Sequence, residues 1–212
     1  MELIGMLDSP YVRRVALGLQ VLGLPFRHRS VSVFRGVEEF RRINPVVKAP
    51  TLLCDDATVL MDSTLILAYA QVLSTNGRRL APAAAPALQQ HLRRVGLALA
   101  VCEKAVQLVY ERNLRPAEKQ HAPWLERVGG QLLAACDALE SDLEERAPAV
   151  DAAGIDDAGI SVGVAWHFTQ AWVADDVPAA RFPRLAALST QAETLPAFRA
   201  APHGDLTYPV AN

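Results

Sequence analysis

The sequence predicts an α/β unit followed by an all-helical unit, and three observations carry that prediction. Strand and helix signals alternate through the first third of the chain, in the order strand, helix, strand, helix, strand, strand, helix. Residues 75–87 (TNGRRLAPAAAPA) then break the pattern with proline, glycine and alanine. Beyond them no strand signal returns, and apolar residues recur only at helical spacing. The boundaries drawn from these signals are 1–76 for the α/β unit, 77–87 for the linker and 88–212 for the helical bundle. With 51% hydrophobic residues over 212 positions, the chain can bury a sizeable core.

Each element has its own local signal. Residues 2–6 (ELIGM) read as a short apolar strand. Pro10 suits the first position of a helix, and Val12, Val15, Ala16 and Leu19 continue it at helical spacing until Gly23-Leu24-Pro25 stops it. Residues 26–33 (FRHRSVSV) alternate as a second strand, and residues 37–43 form a short helix ended by Asn44-Pro45. Thr51–Cys54 and Thr58–Met61 make a hairpin around Asp55-Asp56. The helix at 63–74 is apolar on every side, through Leu65, Ile66, Leu67, Tyr69, Ala70, Val72 and Leu73. Such a helix is covered on two sides, one by the sheet and the other by a second domain or a second chain.

In the second unit, Leu88, Leu92, Val95, Leu99, Cys102, Val106 and Val109 follow steps of three and four. Leu125, Val128, Leu132, Leu139 and Leu143 repeat the pattern. Residues 158–174 are apolar nearly all round and predict a central buried helix, followed by a weaker amphipathic stretch from Phe182 to Phe198. His167, within the central helix, reads as a satisfied core histidine.

Composition excludes several classes. A formal net charge of −2 lacks the basic field that a nucleic acid or an anionic membrane surface requires. No apolar run reaches the roughly 18 residues of a membrane span, and no secretory signal is visible, so the expected location is the cytoplasm. Cys54, Cys102 and Cys136 are odd in number and far apart, which predicts neither a disulfide framework nor a metal site. Each sits in an apolar segment and reads as a small buried hydrophobe.

Three stretches of the first unit carry possible chemistry. Ser9-Pro10-Tyr11-Val12-Arg13 follows a strand and opens a helix, where unpaired N–H groups and the helix dipole favour negative charge. Ser9 is there either a cap or a hydroxyl that donates to an anion. In Asn44-Pro45-Val46-Val47-Lys48-Ala49-Pro50-Thr51-Leu52, the Ala49 backbone groups are exposed to an extended, peptide-like ligand if the Ala49–Pro50 bond is cis. An ordinary loop with a solvated lysine fits the same residues. Met61-Asp62-Ser63-Thr64 precedes the apolar helix, so Asp62 or Ser63 is either its cap or part of a site for a ligand bearing both an ammonium and a carboxylate.

In their order and spacing these stretches resemble the glutathione transferase family, over nearly the whole chain. SPYVRRVAL is similar to the corresponding segment of bacterial serine-type members. NPVVKAPTL resembles the family's Asn-Pro-x-Gly-Lys-Val-Pro-x-Leu loop with its cis-proline, and DSTLIL its acidic-Ser motif for the glutamyl end of glutathione. FPRLAALSTQAETLPAFRAA resembles its C-terminal helices. Three positions depart from the pattern. Val47 replaces a usual glycine, Asp156-Asp157-Ala158-Gly159 lacks the reciprocal acid of a Ser/Thr-x-x-Asp capping box, and Leu195 stands where arginine is common.

The resemblance implies a thioredoxin-like first domain (βαβαββα) that binds glutathione as co-substrate, with no metal. It implies that Ser9 donates to the thiolate, Ala49 pairs with the cysteinyl backbone under the direction of Pro50, Asp62 and Ser63 hold the glutamyl end, and Lys48 meets the glycine carboxylate. It further implies a small apolar electrophile, for which Met6, Tyr11, Tyr110, Leu114 and Trp166 are the candidate contacts. A homodimer with the helices at 63–74 and 88–110 facing the partner completes the expectation. Serine in place of cysteine argues against disulfide exchange. A non-catalytic binder of glutathione or of a partner, and a specialised isomerase or dehalogenase, are the alternatives on the same fold.

Overall fold

The structure is a computed structural model that describes residues 1–204. Its first unit is built on a four-stranded sheet of β1 (Glu2–Ile4), β2 (Arg27–Arg29), β3 (Thr51–Leu53) and β4 (Val59–Leu60), ordered β2-β1-β3-β4. β1 runs parallel to β2 and antiparallel to β3, and β3 to β4 is a hairpin. With α1 (Pro10–Val21), α2 (Val37–Ile43) and α3 (Ser63–Leu73), the element order is the expected βαβαββα, a thioredoxin-like arrangement.

Two strands are shorter than their sequence signals. β1 ends at Ile4 because Gly5 takes φ +132°, outside the strand region. β2 pairs only with β1 and stops with it at Arg29, although alternation continues to Val33. Val31 turns into a core with Ile4 and Phe40 instead.

α1 is the hub of this unit. Val12, Val15, Ala16 and Leu19 are fully buried, as their spacing requires. Arg13 and Arg14 are buried as well. One face of α3 (Ile66, Leu67, Ala70) is buried, and α3 packs on α1 where Gly18 has no Cβ to strike Leu67. Its other face, with Leu65, Tyr69 and Val72, is exposed on the single chain.

The second unit comprises residues 81–193 and is all-helical. α4 (Ala85–Leu114) starts three residues inside the expected linker, with a proline in its first turn, and runs past 110. α5 (Ala122–Glu145) and α6 (Asp157–Trp172) pack on it, and α7 (Pro183–Glu193) packs on α5 and α6. α6 is buried on nearly every side from Asp157 to Thr169. The amphipathic stretch 182–198 forms two helices, with Thr194-Leu195-Pro196 dividing α7 from α8 (Pro196–Ala200). One expectation is corrected here. His167 is not a core residue: it is about one-third exposed, and its Nδ1 lies 3.0 Å from Glu193 Oε1.

A further correction concerns α8. The sequence places residues 88–212 in the helical bundle, whereas residues 194–204 group with residues 1–80, and residues 205–212 lie outside the described residues. α8 lies on α1, where Arg13 Nε donates to Ala201 O (2.8 Å), the Arg13 guanidinium sits 5.3 Å from the Phe198 ring centroid, and Gln20 Nε2 donates to Ala197 O (3.1 Å). These partners are nearly two hundred residues apart in sequence, and no local pattern announces them.

The cap of α6 has a tertiary partner. Asp156 caps the helix by accepting from Gly159 N (2.9 Å), and its second oxygen lies 3.1 Å from His91 Nδ1 of α4. Burial raises the Asp156 pKa, but the bonds from His91 and the helix amides outweigh it and leave the value below the ordinary aspartate range. A depressed carboxyl stabilises the fold above the unfolded aspartate pKa of about 4 and loses that contribution as pH falls through the folded value. Asp156→Asn keeps a capping oxygen and removes the titration. We expect it to cost about 1 kcal/mol at pH 7, a difference from the wild type that closes below pH ~4 in urea unfolding. A difference that does not change with pH would contradict this account.

Candidate functional site

The three predicted stretches fall at three structural joints of the first unit. Ser9 is the N-cap of α1, half-buried, with φ −70° and ψ 123°. Its Oγ accepts from Val12 N at 3.4 Å, a long bond that leaves the hydroxyl loosely engaged. The turn is held more firmly by the backbone, with Ser9 N donating to Met6 O (3.2 Å) and Arg13 N to Ser9 O (3.0 Å). Pro10 occupies the first helical position, so the residue without an amide hydrogen sits where one is not needed.

The Ala49–Pro50 bond is cis. Pro50 is buried, Ala49 half-buried and Lys48 exposed. A buried polar network holds this loop. Asn44 Nδ2 donates to Thr51 Oγ1 (2.8 Å), and Thr51 Oγ1 donates to Lys48 O (2.7 Å). Asn44 Oδ1 accepts from Val46 N (3.0 Å). Val47 takes φ +53°, the left-handed conformation that glycine adopts freely. The backbone thus keeps the glycine-type shape despite the substitution, and Val47 packs against the Ile4, Val31 and Phe40 cluster. That packing offsets a backbone cost of about 1–2 kcal/mol.

Asp62 caps α3, its Oδ1 accepting from Thr64 N (2.9 Å) and Leu65 N (3.3 Å). The Met61–Asp62 bond is also cis. Ser63 is buried, and its Oγ accepts from Arg14 Nη1 at 2.8 Å; the same nitrogen lies 3.1 Å from Thr64 Oγ1. Arg14 is the residue that sequence reasoning missed. Its only signal is an arginine pair inside an otherwise apolar helix. By accepting from the guanidinium, the Ser63 hydroxyl keeps its own proton for a further acceptor.

α1 joins these joints. Arg14 ties it to the Ser63 turn, and Val12, one turn after Ser9, approaches Ala49 across the bare Cα of Gly5. The arrangement sets a hydroxyl at a positive helix end, backbone groups beside a cis-proline, and a second helix N-terminus with a carboxylate and hydroxyls around one helix.

The remaining candidates divide between the two units. Met6 and Tyr11 flank Ser9 in sequence and are half-buried. Tyr110 and Leu114 are exposed near the end of α4. Trp166 is a buried side chain of the helical unit, edge-on to Phe182 at 5.8 Å. The cysteines are buried free thiols. Burial and nearby Asp56 raise the Cys54 pKa, and burial pushes Cys136 up to about 12, so neither supplies a thiolate at neutral pH. Among the described residues, no helix is long and apolar enough to cross a membrane.

Residues 3–75 match the family model for the glutathione S-transferase N-terminal domain. No curated protein matches the chain. Among solved structures, a glutathione S-transferase from Methylobacterium radiotolerans in complex with glutathione sulfonate is 25% identical, with a TM-score of 0.84 over 100% of this chain and 95% of that one. A glutathione transferase family member from Pseudomonas fluorescens Pf-5 with bound glutathione is 28% identical, with a TM-score of 0.81 over 94% and 97% of the two chains. A maleylacetoacetate isomerase from Methylobacterium extorquens, solved with malonate and glutathione, shares the fold at 22% identity and a TM-score of 0.73, covering 95% of each chain.

Proposed function

We propose that the chain is a member of the glutathione S-transferase family, that it binds glutathione, ionises the thiol beside Ser9 and directs the thiolate at a small apolar electrophile. The observation that supports this reading most is the pinning of the Ser9 helix to both other joints, through Val12 beside Ala49 and through Arg14 on Ser63. A thiol is mostly protonated at neutral pH, and only the thiolate attacks. A hydroxyl donor and a helix N-terminus both favour the anion.

In this reading Ala49 pairs with the cysteinyl backbone in a direction set by Pro50. Asp62 takes the glutamyl ammonium and Ser63 the glutamyl carboxylate. Lys48, exposed beside the loop, takes the glycine carboxylate. The exposed apolar face of α3, with Leu65 at 62% and Val72 at 81% exposure, fits burial against a second copy of the chain. Buried free thiols fit a reducing compartment such as the cytoplasm.

The purified protein is expected to be retained on immobilised glutathione, to conjugate 1-chloro-2,4-dinitrobenzene, and to sediment at twice its chain mass. Failure to bind glutathione sinks the reading. Binding without conjugation favours the isomerase class, which the Methylobacterium extorquens neighbour represents on this fold, or a non-catalytic binder. A monomeric mass removes the dimer.

A further inference from the structure

Gly5 stands where three parts of the first unit meet. It ends β1 at φ +132°, and a Cβ placed there would lie 2.7 Å from Val12 Cγ2 and 3.0 Å from Ala49 Cβ. Val12 belongs to the first turn after Ser9, and Ala49 immediately precedes cis-Pro50. A side chain at this position would strike both the Ser9 helix and the Ala49 loop. Two hydrogen bonds hold that backbone. Gly5 N donates to Arg29 O (3.1 Å), and Gly5 O lies 2.6 Å from His28 Nε2.

His28 is only 6% exposed. A carbonyl oxygen only accepts, so the facing nitrogen carries the proton and the ring is the Nε2–H tautomer. Burial holds the His28 pKa below its ordinary value, against the smaller opposing effect of the Gly5 bond. Packing alone does not call for this residue, since an apolar side chain fills a buried strand position without desolvating a ring nitrogen.

We propose that His28 is a positioning residue for thiolate formation, which by donating Nε2–H to the Gly5 carbonyl sets the spacing between Ser9 and the backbone of Ala49. The proposal rests on the glutathione reading above. If Ala49 fixes the cysteinyl backbone, it fixes where the sulfur lies, and Ser9 must then come within hydrogen-bond reach of it. On this proposal a shift of Gly5 alters that reach, and a misplacement of about 1 Å costs on the order of a hundredfold in rate.

The test compares His28→Gln, whose amide can still donate to Gly5 O, with His28→Leu, which cannot. Ultraviolet titration of bound glutathione reads the thiol pKa, calorimetry the affinity, and steady-state kinetics the turnover. We expect His28→Leu to lower kcat about tenfold or more and raise the bound-thiol pKa by about one unit, with glutathione affinity nearly unchanged. His28→Gln should restore most of both. Unchanged kcat, or lowered kcat with an unchanged thiol pKa, overturns the proposal, and so does a Gln variant that behaves like the Leu variant.

Nitrogen-15 NMR of the wild-type ring supplies a test that needs neither ligand nor variant. Protonation at Nε2 and not at Nδ1 is expected at neutral pH, and the opposite tautomer overturns the proposal even if His28→Leu fails to fold. Wild-type protein that binds no glutathione refutes the functional reading, a result distinct from any of these.

Discussion

Ser9→Ala is expected to lower the turnover of glutathione conjugation by roughly 10²–10³-fold, the range for loss of one donor aimed at developing negative charge, while glutathione affinity changes little. The asymmetry follows from geometry. Affinity in the proposed site comes from Ala49, Asp62, Ser63 and Lys48, all retained in the variant. The Ser9 hydroxyl addresses the sulfur alone, and its engagement with the fold is a single 3.4 Å bond from Val12 N. The stability cost should fall at the low end of cap removal, about 0.5 kcal/mol, because the backbone bonds of Ser9 N and O remain. The apparent pKa of the bound thiol should rise. Titration of the thiolate absorbance, alongside kcat and KM, checks all three expectations. Unchanged turnover would show that the amides of the helix end suffice without the hydroxyl.

The second large effect concerns α8. Phe198→Ala is expected to destabilise the protein by about 3–5 kcal/mol, a large share of a typical 5–15 kcal/mol total. Phe198 is 1% exposed and lies under the Arg13 guanidinium at 5.3 Å. Removing the ring forfeits its apolar burial and leaves a cavity beside a charged group that is itself only 1% exposed. The loss should appear as a lower urea midpoint, and its first sign should be in the first unit, since α8 groups with residues 1–80. A change below about 1 kcal/mol would mean that this part of α1 does not depend on α8 for its cover.

What the sequence disclosed about the site was what its chemistry writes locally. Ser9 and Asp62 are capping residues at helix starts, and the cis Ala49–Pro50 bond falls where a proline enters a strand. Each signal needs only a few neighbouring residues. The supporting contacts were not legible because their partners are distant. Arg14 reaches Ser63 across 49 positions and Arg13 reaches Ala201 across 188. His91 reaches the Asp156 cap from 65 residues away. Strand length was misread for a related reason: the alternation through Val33 is real, but Gly5 ends the partner strand that Ser30 onward would need. The polar partner of His167 lies on another helix.

A nascent chain has its whole first sheet translated by Leu60, yet α1 gains its cover from α8 only once residues 81–193 have been translated. At about 5–20 residues per second that delay is on the order of ten seconds, long against the folding of either unit. Through it, Arg13 and the seat of Phe198 are open to water and to chaperones. The first domain to be synthesised is therefore the last to be completed, and the final turn of helix in the described chain works as its closing stitch.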